Sequence, residues 1–246
     1  MAVSCWLAEG GRQSDIMRRF TQLAGGPSAR IVVIASALDD GRLTSEGLAR
    51  LQSRSSEMFG GAQVTVLHTR DRAQADSEEF VKPLKNATAV WIFGGDENHL
   101  SVYVGTRTER EIKAVADRAG VLGGTSAGAL VLAQFTTHVT ADTPEQWAHP
   151  LTGFKLLTNT IVIPHWSQRH SQLIIPETMK PHPGMIAIAV DEATAAVITG
   201  TKLEVVGEGK IGIYDGSMYG RLPYRTVSAD EIVDLKELGG RINSQK

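Results

Sequence analysis

Val121-Leu122-Gly123-Gly124-Thr125-Ser126-Ala127-Gly128-Ala129-Leu130 decides how the rest of this chain is read. Its apolar start predicts a strand, its small-residue end predicts a helix, and Gly124-x-Ser126-x-Gly128 lies between them. A tight strand-to-helix elbow holds its central residue in a strained conformation and pushes that side chain past the sheet edge. Ser126 is therefore the candidate nucleophile. Gly124 and Gly128 lack the Cβ atoms that would collide in such a turn, while Ala127 and Ala129 let the helix pack close to the strand. The amide of Ala127, at the helix start, points where an oxyanion would form.

Outward from the elbow, short β-branched runs alternate with amphipathic stretches. Val3–Ala8 precedes Ser14–Leu23, Arg30–Ala35 precedes Leu43–Met58, Val64–His68 precedes Ser77–Leu84, and Ala89–Phe93 precedes Glu109–Ala119. This order predicts an α/β fold with a mostly parallel central sheet. Ile31-Val32-Val33-Ile34 is apolar at consecutive positions, which places helices on both faces of that sheet. Beyond the elbow, Ile161–Ile163, Met185–Val190, Ala195–Ile198, Lys202–Val206 and Ile211–Tyr214 are short strands between Gly and Asp turns, a strand-rich C-terminal extension. Ser228–Leu238 reads as a last helix, with Ser228 and Glu231 at capping-box spacing. Gly239–Lys246 reads as a polar tail that frays. No repeat or linker interrupts the sequence, so residues 1–246 are expected to form one domain.

Composition narrows the function. At 246 residues, 42% hydrophobic and 21% charged, the chain can bury a full core. A formal charge of −2, with the charges scattered, predicts neither nucleic acid nor an anionic membrane as partner. No run approaches the roughly twenty apolar residues of a membrane span. Cys5 is the only cysteine, and the start of the chain has no basic or long apolar leader, so a cytoplasmic protein is expected.

An attacking serine needs a base, and position separates the seven histidines. His165 follows Thr160-Ile161-Val162-Ile163-Pro164 and so ends a strand, at the edge where open α/β sheets gather their sites. His68 also ends a strand, ahead of a polar loop, and His99, His138, His149, His170 and His182 fall in loops or at helix starts. A third group should fix the imidazole tautomer. Between Ser126 and His165 the only acids are Asp142 and Glu145, and sequence alone does not choose between them. A second glycine-rich strand end, Val90 to Asn98, carries Gly94-Gly95 and is the natural source of a further oxyanion donor.

Phe93-Gly94-Gly95-Asp96, Gly124-Thr125-Ser126-Ala127-Gly128-Ala129 and His165-Trp166-Ser167-Gln168-Arg169, in that order, resemble the cyanophycinase and peptidase E family of serine peptidases. The likeness runs from about Gly10 to Asp215. It implies a class I glutamine-amidotransferase-like three-layer fold and a homodimer. It also implies Ser126 as nucleophile, His165 as base, an acid from the Asp142 to Glu145 loop, and Gly95 with Ala127 as oxyanion donors. The substrate implied is a small peptide or amide cleaved beside aspartyl or β-aspartyl residues, with no metal or organic cofactor. Arg169, Gln168 and Glu97 are the candidate substrate contacts, Arg169 as a fork for a carboxylate. Ile163 and Pro164 stand where the family carries polar residues, Glu97 where it carries glutamine, and Ser171 and Ile174 where arginines are expected. These departures predict a more apolar pocket and poor binding of a branched aspartyl-arginine substrate. They keep in view an ester or lactone hydrolase, an amide-forming acyltransferase, and a relative that binds without catalysis.

Overall fold

The computed structural model describes residues 4–8, 14–136, 151–180, 183–229 and 231–239. The strand–helix alternation is present: β1 (Ser4–Ala8), α1 (Ser14–Leu23), β2 (Arg30–Ile34), α2 (Ser45–Met58), β3 (Gln63–Leu67), α3 (Arg72–Ala75), α4 (Glu78–Val81), β4 (Ala89–Ile92), α5 (Arg107–Asp117), β5 (Val121–Thr125) and α6 (Ala127–Leu130). The helix expected over Ser77–Leu84 is shorter, because the chain passes into a 3₁₀ turn at Lys82, where Pro83 has no amide to continue the α pattern.

Five strands run parallel in the order β3-β2-β4-β5-β1. Beyond them come β6 (Ala133–Thr136), β7 (Leu151–Thr152), β8 (Leu157–Pro164), β9 (Ile186–Val190), β10 (Thr194–Thr199), β11 (Lys202–Gly207), β12 (Ile211–Tyr214), β13 (Arg225–Val227) and β14 (Ile232–Asp234). These strands divide. β10, β11 and β14 extend the central sheet beside β1 with antiparallel pairing, whereas β7-β6-β8-β9-β12-β13 form a second sheet in which β8 lies parallel to β6 and β9.

The last helix is a correction. Ile232 and Val233 belong to β14, paired with β11 through Leu203 and Val233, and only Leu235–Gly239 is helical. Val233 is buried in the core, so β-branched packing on an edge strand overrides the capping-box spacing, and Glu231 N–H closes a turn onto the Ser228 carbonyl. The tail from residue 240 lies outside the described residues.

Each face of the central sheet buries a different set. On one, Ile31, Val33, Trp91, Val121 and Val197 pack against Ile16, Met17 and Phe20 of α1 and against Phe59. Gly123 sits opposite Trp91 in register, and a Cβ there would come within 2.5 Å of the indole, so the glycine makes room for the largest ring in this core. On the other face, Val32, Ile34, Val90, Ile92 and Leu122 pack against Ile112, Val115 and α6, and this cluster runs on into Val162, Ile188, Val190, Ile211 and Ile213 of the second sheet. One face is thus covered partly by a sheet where helices alone were expected. No helix among the described residues is long and apolar enough to cross a membrane.

Candidate active site

Ser126 sits between β5 and α6 with φ 50° and ψ −121°, a region that non-glycine residues rarely occupy. The glycines explain how the elbow closes. A Cβ on Gly124 would meet the Gly128 carbonyl carbon at 2.4 Å, and one on Gly128 would meet the Ile92 oxygen at 2.1 Å. Strand and helix therefore touch backbone to backbone. The Ser126 carbonyl accepts from the Ala129 and Leu130 amides at 2.9 and 3.0 Å, while the Ala127 amide has no protein acceptor among the described residues.

The Gly94-Gly95 turn lies against the elbow. Gly94 donates to Thr125 Oγ1 at 3.2 Å, and a Cβ on it would come to 2.7 Å from Ser126 Cβ. Gly95 has φ 142° and backs onto the Ala37 carbonyl, which also accepts the Asp96 amide at 2.9 Å. Its own amide likewise has no protein acceptor among the described residues.

The second sheet brings the imidazole. β8 ends at Pro164, His165 turns out with φ 54°, and Trp166 plugs the apolar cluster behind it. The indole N–H donates to Tyr214 Oη at 2.9 Å, and Trp166 meets Tyr214 and Tyr224 edge-on. So anchored, His165 places Nε2 3.3 Å from Ser126 Oγ. Its Nδ1 lies 3.0 Å from Glu192 Oε1, in the turn after β9. A carboxylate only accepts, so Nδ1 carries the proton and Nε2 keeps its lone pair for the serine. Burial pulls the His165 pKa below its ordinary value; Glu192 opposes this by its hydrogen bond and charge, and Arg169 adds to the depression.

Glu192 is the acid that sequence reasoning missed. Asp142 and Glu145 lie outside the described residues; among the described residues the carboxylate on His165 is that of Glu192, from beyond the histidine. The signal was present in Ile186–Val190, an apolar strand ending in Asp191-Glu192. Asp191 ties the loops together: its carboxylate accepts the Ser167 amide at 3.0 Å and the Lys210 amide at 3.2 Å.

The candidate substrate contacts divide. Gln168 Oε1 accepts the Glu192 amide at 3.3 Å, so this side chain also braces the acid's turn. Arg169 is exposed, and its amide donates to the His165 carbonyl at 2.9 Å. Glu97 lines a small cavity with Ala127, Val104 and Val131, next to the elbow. Among the described residues the four replacements do not form the expected apolar pocket wall. Ile163 is 2% exposed in the cluster behind His165, Pro164 and Ser171 are buried, and Ile174 packs on the same cluster, so these replacements fill core. Among the described residues no group of three His, Cys, Asp or Glu side chains could hold a metal ion.

The model of peptidase family S51 matches residues 3–206. The chain belongs to peptidase family S51. It is accordingly a hydrolase of the peptidase class. This S51 peptidase is similar to the cyanophycinase of Geminocystis herdmanii, at 29% identity over 91% of this chain and 83% of the relative. It is also similar to that of Synechococcus elongatus, at 30% over 93% and 71%. In fold it is similar to a peptidase from an acI-B1 Actinobacterium, with a TM-score of 0.74, 24% identity, and 95% and 97% of the two chains covered. A putative peptidase E protein from Listeria monocytogenes EGD-e superposes with a TM-score of 0.58 at 16% identity, over 85% and 100%.

Proposed function

We propose that the chain is a serine peptidase in which Ser126 attacks the scissile carbonyl, His165 moves the proton and Glu192 holds the imidazole. The observation that carries this reading is the continuous contact from Ser126 Oγ through His165 to Glu192, mounted on a strained elbow. Ser126 Oγ forms a bond to the carbonyl carbon as its proton passes to His165 Nε2. The amides of Ala127 and Gly95 receive the oxyanion. His165 then protonates the departing amine, the C–N bond breaks, and water repeats the sequence on the acyl-enzyme to release the acid.

The substrate is a small peptide with an aspartyl residue, in α or β linkage, next to the cleaved bond. Two observations support this: the similarity to cyanophycinases, and Arg169 placed beside His165, where its fork suits a carboxylate. The enzyme works in the cytoplasm as a homodimer on this reading, in keeping with its single cysteine and family likeness. The test is a panel of α- and β-aspartyl peptides read by product mass, with wild type and Ser126→Ala. Cleavage beside aspartate that vanishes in the variant is expected. Cleavage that survives the substitution, or turnover of esters alone, would overturn the proposal.

A further inference from the structure

A second histidine is held as carefully as His165, and the mechanism above does not use it. His68 is the first residue beyond β3, at the same edge of the central sheet as Ser126. Its Nδ1 lies 3.2 Å from Ser36 Oγ, and Ser36 is fully buried. Ser36 Oγ lies 2.5 Å from Tyr103 Oη, also fully buried, and accepts the Thr69 amide at 3.0 Å. Burial pushes the Tyr103 pKa up to about 12, so this phenol stays protonated and can donate.

Tyr103 Oη also lies 3.4 Å from the Thr69 carbonyl, but Ser36 Oγ at 2.5 Å is the nearer acceptor, and a phenol is the stronger donor of the two hydroxyls. The Thr69 amide and the Tyr103 hydroxyl donate to Ser36 Oγ, whose own proton goes to His68 Nδ1. His68 then carries its proton on Nε2. Burial, the largest cause, and Arg70 lower the His68 pKa, so the neutral ring is the resting form. Nε2 has no protein partner among the described residues, and His68 is half-buried. A buried relay that fixes the tautomer of a histidine whose outer nitrogen is unused is the kind of support that preorganised ligand contacts receive.

The same edge links His68 to the elbow. From β5 the order is β4, β2, β3, so His68 stands three strands from Ser126, about 14 Å along the edge. One 3₁₀ segment, Glu97–Tyr103, bridges that span: Glu97 lines the cavity beside Ala127, His99 acts electrostatically on His68, and Tyr103 closes the relay. His99 Nδ1 and Arg70 Nε, both buried, have no hydrogen-bond partner among the described residues. An extended peptide covers such a distance in about four residues.

We propose that His68 is a substrate-positioning residue, its Nε2–H donating to a carbonyl or carboxylate oxygen of a peptide residue about four positions from the scissile bond. The inference rests on the Ser126 reading and deepens it: the enzyme acts on peptides longer than dipeptides. A ladder of aspartyl peptides from two to six residues, extended from either end and finished as free acid or carboxamide, tests it. For wild type, kcat/KM rises up to about four residues on one side, mainly through KM, by roughly tenfold, as one neutral hydrogen bond allows. A gain in both series assigns a carbonyl, and a gain confined to free acids assigns a carboxylate.

His68→Leu collapses the ratio of long to short peptides, His68→Gln, which keeps a neutral donor, restores part of it, and Tyr103→Phe weakens it. A relay that serves only the fold would lower Tm in these variants and leave the ratio untouched. That result, or a flat ladder with hydrolysis intact, overturns the distal subsite alone. Absence of any peptide hydrolysis by the folded wild type overturns the serine-peptidase reading beneath it.

Discussion

The two short contacts of His165 set different quantities. The Ser126 contact requires a neutral Nε2, so activity falls as pH drops through the His165 pKa. Burial holds that pKa below its ordinary value, so the acid limb of the kcat/KM profile is expected at lower pH than a free imidazole would give. Glu192 raises the same pKa. Glu192→Gln should therefore move the acid limb of the kcat/KM profile to lower pH while cutting its plateau by about a hundredfold, as the imidazolium loses its counter-charge. A limb that moves upward, or a plateau within a factor of two of wild type, would show that Glu192 does not support the base. The serine and the histidine could be read from the sequence because each ends an apolar strand and each stands in a short recognisable string. Glu192 could not, since an acid just past a strand is usually a turn residue, and only pairing of β8 with β9 brings it to Nδ1.

Elements, in turn, explain why the elbow has so little freedom. α6 is one turn long and has no amphipathic face to dock; it is held because Gly124 and Gly128 let it touch β5 and β4 through backbone atoms. Gly128→Ala would drive a methyl toward the Ile92 oxygen, and relief requires the helix to lift from β4. A loss of about 3 kcal/mol is expected by thermal or urea unfolding, with a matching loss of activity because the Ala127 amide moves with the helix. An alanine variant as stable and active as wild type would mean that the contact relaxes freely. The strand–helix alternation up to β5 was legible for the reason that these elements are local: each apolar run is strand-length and each helix shows its stripe. Ser228–Leu238 misled because a capping box is a local signal, whereas Ile232 and Val233 follow a non-local one, the open edge of β11.

In the whole molecule the two sheets divide the chemistry. The proposed nucleophile and oxyanion amides ride on the parallel strands of the central sheet, and the proposed base and acid ride on β8 and β9 of the second. The shared apolar cluster, with Ile92, Leu122 and α6 on one side and Val162, Ile188 and Val190 on the other, sets the distance between them. That division was not legible in the sequence, because β-branched runs separated by Gly and Asp look alike whichever sheet they join, and pairing partners are chosen by tertiary packing. The assembled site makes one central claim, that Ser126 is an activated nucleophile. Labelling of wild type and Ser126→Ala with a fluorophosphonate, read by intact mass, tests it most directly. One adduct is expected on wild type and none on the variant; a folded wild type that stays unlabelled, or a variant that labels equally, would show that Ser126 is not an activated nucleophile.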